Sequence, residues 1–180
     1  MSYHGGMKNS LSLLLLIAAL GCSTSHRTDR SPVTGERLQE LQKNDELLLE
    51  SLEEGPRKQG SVTKTTEGPM TTEVWLWKED HGSLEGQTET LLYKNDELIS
   101  QTLKDPKSGI TVSRQYRDGK IFQQSEEWKD RAWVVFFEDG RIKGRMFYGP
   151  QKKECILYPE GAGPHFEDMD ECERIFNTAP

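Results

Sequence analysis

The stretch TVSRQYRDGKIFQQSEEWKDRAWVVFFEDGRIKGRMFY, residues 111–148, decides the fold. It consists of short runs of aromatic and β-branched residues that are separated by turn-forming pairs, among them Asp118-Gly119 and Asp139-Gly140. An Asp-Gly pair between two strands favours a two-residue hairpin loop, because both positions of that loop need a positive φ. The stretch is therefore predicted to form consecutive antiparallel hairpins.

The same pattern extends over residues 73–180 and predicts a mainly β domain. Because each strand is followed by a short turn, the chain should run as an antiparallel meander of repeated hairpins, as a curved sheet or a half-open barrel. The strands are expected at 73–78, 84–93, 98–104, 110–117, 120–128, 132–138, 141–148 and 153–158.

Three of the predicted turns share an aromatic residue, a turn and an aliphatic residue. They run from Tyr93 to Leu98, from Tyr116 to Ile121 and from Phe137 to Ile142, at steps of 23 residues (93 to 116) and 21 residues (116 to 137). A repeat of that length predicts one hairpin per unit, stacked edge to edge. The pattern over residues 93–148 resembles the MORN-repeat-variant family of bacterial antitoxin-like and lipoprotein sequences, and it implies an immunity or antitoxin-like protein as one candidate function.

Residues 36–54 are predicted to form a helix that Gly55-Pro56 ends. A coiled-coil dimer is one interpretation of its leucines. The stretch is shorter than three heptads and Asp45 lies on the same stripe, which favours a single helix lying on the sheet or a stiff stalk. The leucines of the stripe are Leu38, Leu41, Leu48 and Leu52.

The segments on either side of this helix are rich in Ser, Thr, Pro and Gly. Residues 22–35 are predicted to be a flexible tether, because their composition buries too little apolar area to order itself. Residues 55–72 are predicted to be a second linker, or alternatively a loose edge strand around Val62.

Residues 1–21 have the layout of a secretory signal peptide. Lys8 gives a positive n-region, and Leu11 to Leu20 form an apolar run broken by Ser12. That run is about ten residues long, whereas a helix needs roughly 20 residues to span a bilayer. Cleavage is therefore favoured over a permanent transmembrane anchor.

The end of this segment, Ala19-Leu20-Gly21-Cys22, resembles the lipobox of bacterial lipoproteins. The resemblance implies that the thiol of Cys22 takes up diacylglycerol and that the mature protein begins there. In Gram-negative lipoproteins a residue other than Asp after the cysteine, here Ser23, implies the outer membrane, facing the periplasm. The expected location is thus the bacterial cell envelope, and an ordinary signal peptide with a chance cysteine is the alternative.

The mature chain is acidic. Removing residues 1–21 takes Lys8 from the 23 Lys and Arg, so 22 remain against 30 Asp and Glu, a formal charge of −8. Such a surface repels phosphate backbones, so nucleic-acid binding is not expected, and it leaves the lipid on Cys22 as the attachment to the membrane. A hydrophobic content of 33%, below the average of about 45%, predicts thin apolar layers and a polar face.

Cys155 and Cys172 remain once Cys22 is lipidated, and an even pair in an oxidising compartment is usually a disulfide. The bridge would pin a short C-terminal helix to the last strand, and a free thiol site is the alternative. The acidic residues around Cys172 lack the spacing of a calcium loop. We expect Asp168 or Asp170 to be the N-cap of that helix instead.

Trp75, Trp77, Trp128 and Trp133 are the candidate binding surface, because aromatic platforms bind carbohydrate and peptide well. Packing in the sheet core is the alternative for at least half of them. No catalytic motif accompanies His81 or His165, and we predict no catalytic residue, metal site or cofactor. The sequence thus predicts a non-enzymatic module that binds a protein or an envelope polymer, with an envelope hydrolase the least favoured class.

Overall fold

The computed structural model describes residues 30–53, 55–58, 60–77 and 85–177. The predicted signal peptide, Cys22 and His81 lie outside these residues. The helices are α1 (Gly35–Glu53) and α2 (Met169–Asn177). The strands are β1 (Ser61–Glu67), β2 (Met70–Leu76), β3 (Thr88–Lys94), β4 (Glu97–Lys104), β5 (Thr111–Arg117), β6 (Lys120–Trp128), β7 (Arg131–Glu138), β8 (Arg141–Tyr148), β9 (Lys153–Leu157) and β10 (His165–Glu167).

These strands form one sheet, and their order in the sheet is their order in the chain. Every strand is antiparallel to its neighbours. β1 and β10 are the two edges, so the sheet is open. The prediction of a mainly β antiparallel meander with an N-terminal helix and a short C-terminal helix is confirmed.

Two strands add to the eight that the sequence predicts. β1 occupies much of the predicted linker 55–72 and contains Val62, as in the alternative interpretation. All seven of its residues are exposed, so its sequence lacks the alternation of apolar and polar residues that marks a strand with one buried side. β10 has three residues, too few for a period of two to be recognised.

The chain before α1 is held by the sheet from Ser31 onward. The backbone nitrogen of Phe166 in β10 donates to the Ser31 carbonyl at 3.0 Å, and the nitrogen of Val33 donates to the Pro164 carbonyl at 2.9 Å. The Val33 side chain is buried. The tether predicted for residues 22–35 is therefore packed against the sheet at its C-terminal end.

The three similar turns form hairpins of the same geometry. In each hairpin the register shifts by one residue just before the turn, at Leu92/Tyr93, Gln115/Tyr116 and Phe136/Phe137, which is the mark of a β-bulge. Both central residues of each turn have φ between +50° and +77°, as the two-residue loop requires; they are Asn95 and Asp96, Asp118 and Gly119, and Asp139 and Gly140. Membership of the MORN-variant family stays a prediction.

Helix α1 lies across one side of the sheet, from β9 to β5, and we call this side the α1 face. Near its start, Nη2 of Arg37 pairs with Oε1 of Glu154 in β9 at 2.7 Å. Near its end, the Ser51 carbonyl accepts a hydrogen bond of 3.1 Å from Nη2 of Arg114 in β5. Of the predicted alternatives, the structure has the helix that lies on the sheet.

Polar contacts explain the charged residues under α1. Asp45 pairs with Arg145 of β8 and accepts a hydrogen bond of 2.9 Å from the Tyr158 hydroxyl, so an acidic residue fits on the leucine stripe. Burial alone would raise the pKa of Glu154, but hydrogen bonds from Lys152 and Arg37 outweigh that effect and hold the pKa below its usual 4.5.

Two small apolar cores hold the helices. Under the first half of α1, the buried residues Val33, Leu41 and Ile156 are packed by Leu38, Tyr158 and Phe166. On the opposite side, which we call the α2 face, the buried residues Met146, Cys155 and Cys172 are packed by Phe136, Tyr148, Leu157, Met169 and Phe176. Both cores lie over the C-terminal strands.

Candidate functional site

A groove runs beneath and beside the second half of α1. It consists of two cavities, of about 290 Å³ and 460 Å³, which share Ser51, Gln124 and Glu126. We call them the deep cavity and the tryptophan cavity, and together the α1 groove. The deep cavity is lined in addition by Gly55, Arg57, Trp77, Gln87, Glu89, Gln101, Leu103, Val112 and Arg114. The tryptophan cavity is lined in addition by Glu40, Asn44, Leu47, Leu48, Trp128, Trp133, Val135 and Arg145.

The period of two along a strand places the polar residues of the deep cavity on one side. The α1 face is shared by Gln87, just before β3, and by Glu89 and Leu91 within β3, because these residues are two positions apart. Leu91 lies opposite Gln101 of β4. Gln101 in turn lies opposite Arg114 of β5. Neighbouring strands therefore bring polar side chains from distant parts of the sequence into a single row.

Hydrogen bonds link these side chains into a network. Nε2 of Gln101 donates to Oε1 of Glu89 at 2.6 Å, and the Tyr116 hydroxyl donates to Oε1 of Gln101 at 2.8 Å. Nε of Arg114 donates to Oε1 of Gln124 at 2.9 Å. Burial raises the pKa of the Tyr116 hydroxyl; Arg114 opposes that rise and Glu89 adds to it.

Two residues that line the deep cavity each have a buried acceptor oxygen without a donor in the described part of the chain. Glu89 is 2% exposed and Gln87 is 8% exposed. Within the described residues, Oε2 of Glu89 and Oε1 of Gln87 have no hydrogen-bond partner. A buried acceptor without a donor costs about 1–3 kcal/mol, so the network is complete only when something else supplies hydrogens.

The four candidate tryptophans all lie on the α1 face. Trp77 is buried against the deep cavity, and the half-buried Trp128 and Trp133 line the tryptophan cavity. Trp133 also packs against Phe147, with ring centroids 4.6 Å apart. Trp75 lies opposite Glu89 but does not line the groove. Ligand binding by these residues stays a prediction.

Sequence reasoning missed the polar half of the groove. Gln87, Glu89, Gln101, Arg114 and Gln124 were not among the candidate residues. A signal was present at Glu89, which alternates with Leu91 in a strand and so shares the side of an apolar residue. A charged residue at such a position is either exposed or engaged in a polar site.

The predicted C-terminal features lie away from the groove. The sulfurs of Cys155 and Cys172 lie at disulfide distance, with Cα atoms 6.5 Å apart. Asp168 caps α2, since its Oδ1 accepts a hydrogen bond of 2.8 Å from the backbone nitrogen of Asp170.

His165 lies in the edge strand β10, with Nε2 3.8 Å from the Glu167 carboxylate. Within the described ranges, no three His, Cys, Asp or Glu side chains form a group that could hold a metal ion.

No protein-family model, no curated protein and no solved structure matches the chain. Neither of the two helices in the described residues combines the length and the apolar character needed to cross a membrane. The lipobox and the predicted location therefore stay predictions that rest on residues 1–23.

Proposed function

We propose that this protein is anchored in the bacterial envelope by a lipid on Cys22 and binds a protein or an envelope polymer in the α1 groove without catalysing a reaction. The observation that carries the proposal is the lining of the groove. It combines tryptophan side chains with Gln87 and Glu89, each of which has a buried acceptor oxygen without a hydrogen-bond donor among the described residues. Ligand sites are typically apolar clefts with a few placed polar groups, and cavities of roughly 300 to 1,000 Å³ are usual for them.

The side chains of the groove support binding better than catalysis. Among the described residues that line it there is no histidine or cysteine, and Ser51 contributes the one hydroxyl. That hydroxyl donates to the Leu48 carbonyl at 2.7 Å and accepts from Arg114 at 3.3 Å. A nucleophile needs an adjacent base that takes its proton, and neither contact provides one.

The anchor is tested by the Cys22→Ala substitution. We expect the protein to leave the membrane fraction and the uncleaved precursor to accumulate, because lipidation precedes cleavage in the lipoproteins that the sequence resembles. The measurement is fractionation followed by intact mass. A mature-length, membrane-bound Cys22→Ala protein would contradict the anchor.

Binding in the groove is tested by photocrosslinking from two neighbouring positions of α1. Asn44 and Gln42 are both exposed, but Asn44 lines the tryptophan cavity and Gln42 does not. A photoreactive residue at position 44 of the envelope-bound protein should capture a defined component, and Trp133→Ala should abolish the capture. Equal capture from position 42, or capture that ignores Trp133→Ala, would refute the groove as the site.

An immunity protein that neutralises a toxin is the second candidate. It is supported by the recurring pattern of an aromatic residue, a turn and an aliphatic residue that carries the MORN-variant resemblance. The three hairpins with this pattern also share a register shift before the turn. A protein bound in a stable stoichiometric complex, whose toxicity the complex abolishes, would favour this candidate. Failure to retain any such protein would leave the first proposal in place.

A further inference from the structure

We infer that the deep cavity binds a primary ammonium group of the ligand, of the kind that a lysine side chain carries. The inference rests on the proposed function, since it names the ligand chemistry for one end of the α1 groove. It starts from the two acceptor oxygens of Glu89 and Gln87 that the protein leaves unused.

A cation would complement the buried carboxyl group of Glu89. The residue is 98% buried, the complement of its 2% exposure, and no lysine or arginine of the described residues forms an ion pair with it. Arg114, which also lines the cavity, donates instead to Gln124 and Ser51. Glu89 has one hydrogen bond, from Gln101, but no ion pair within the described residues. A buried carboxylate without an ion pair is costly, so a cation that enters from outside gains an interaction that the protein itself does not supply.

The geometry favours ammonium over guanidinium. Guanidinium binds a carboxylate best through both oxygens at once. At Glu89, Oε1 already accepts a hydrogen bond of 2.6 Å from Gln101, so a bidentate guanidinium would have to share that oxygen with Gln101, whereas Oε2 has no donor in the described ranges. An ammonium group is compact and has three donors, which suits two separate acceptors, Oε2 of Glu89 and Oε1 of Gln87.

The test measures binding of Nα-acetyl-lysine methylamide to the full chain in detergent by calorimetry, with the norleucine analogue as the uncharged probe. We expect the wild-type protein to bind the lysine probe and the norleucine probe to bind at least about tenfold more weakly, the effect of one charged hydrogen bond. Glu89→Gln should weaken the lysine probe by a similar factor.

Glu127→Gln is the matched control. Glu127 is exposed in β6, next to the groove residue Glu126 but on the other side of the strand, so its loss should leave binding unchanged. The melting temperature supplies a second readout. Glu89→Gln should raise it by about 2 to 4 °C, because the substitution removes a buried acceptor oxygen that has no donor among the residues the structure describes, whereas Glu127→Gln should not.

The outcomes separate this inference from the proposed function. If the wild-type protein binds both probes equally, or if Glu89→Gln binds the lysine probe as tightly, the ammonium site is refuted, while capture from position 44 still supports the groove. If the lysine probe does not bind at all, the ammonium site is refuted too. If capture from position 44 also fails, both proposals fall.

Discussion

Leu41 fixes α1 to the sheet, and the Leu41→Ala substitution should be the most destabilising change on that helix. Its side chain is 2% exposed and packs with Val33 and Ile156. The substitution removes three carbon atoms, at roughly 0.8 kcal/mol for each buried CH₂. This gives about 2.4 kcal/mol before the cavity is counted, and we expect a total loss of about 2.5 to 4 kcal/mol.

The matched control is Leu49→Ala. It makes the same chemical change in the same helix, so the effect on helix propensity is the same, but Leu49 is 38% exposed. We expect a loss below about 1 kcal/mol there. Both variants are measured by urea unfolding followed by circular dichroism, and Leu41→Ala should also lower the melting temperature by about 5 to 15 °C.

The comparison of the two variants can refute this reasoning. Equal losses for Leu41→Ala and Leu49→Ala would show that α1 is not docked through Leu41. A changed denaturant slope for Leu41→Ala would show that the substitution altered how much surface unfolding exposes, and the difference could then not be assigned to packing. The expected result is a lower midpoint with an unchanged slope.

Three further predictions concern the C-terminal half of the sheet. In the Cys22→Ala background, Cys155 and Cys172 should resist alkylation until the protein is reduced, and reduction should lower the melting temperature, since a 17-residue loop closed by a disulfide contributes roughly 3 kcal/mol. Gly144→Ala should cost about 1–3 kcal/mol in urea unfolding, because its new Cβ would lie 2.4 Å from Cζ of Phe176. Glu154→Gln should destabilise at neutral pH by about 1–3 kcal/mol. That difference should shrink as the pH falls below 4.5, because a carboxyl whose pKa is lowered by folding stabilises above its unfolded pKa and loses the effect as the pH falls through its folded pKa.

Each of these has an outcome that contradicts it. Two thiols that label readily in the native oxidised protein would show that no bridge forms. A Gly144→Ala protein as stable as the wild type would show that Phe176 can move aside from its stacked position on Phe136, where the ring centroids are 3.9 Å apart. A Glu154→Gln difference that stays constant from neutral pH to pH 3 would refute the ionised pair with Arg37.

The meander could be predicted because its turns are decided locally. Asp118-Gly119 and Asp139-Gly140 accept the positive φ that a two-residue loop requires, and the structure has that geometry at both. The pairing of Cys155 with Cys172 could also be predicted, because they are the two cysteines that remain after Cys22, and the structure places their sulfurs at disulfide distance. β1 was expected only as the alternative to a linker, because all seven of its residues are exposed and the strand therefore has no apolar alternation.

The groove could not be predicted in the same way, because long-range contacts decide it. Asp45 pairs with Arg145, one hundred positions along the chain, and contacts of this range hold α1 on its side of the sheet. The register shift in each similar hairpin also breaks the alternation of sides between one strand and the next. A residue such as Glu89 can be placed on one side of its own strand from the sequence, but its neighbours cannot.

The two halves of the α1 face therefore respond to substitution in opposite ways. Under the first half of the helix, Leu41 contributes apolar packing, and its loss should lower stability and also loosen the groove that α1 encloses. Under the second half, Glu89 has a buried oxygen without a donor, which costs stability in the free protein. Functional sites are where proteins carry such costs, so Glu89→Gln should raise stability while it lowers binding. Losses of both stability and binding would mark a residue that supports the fold. A gain in stability with a loss of binding would mark a residue of the proposed ammonium site.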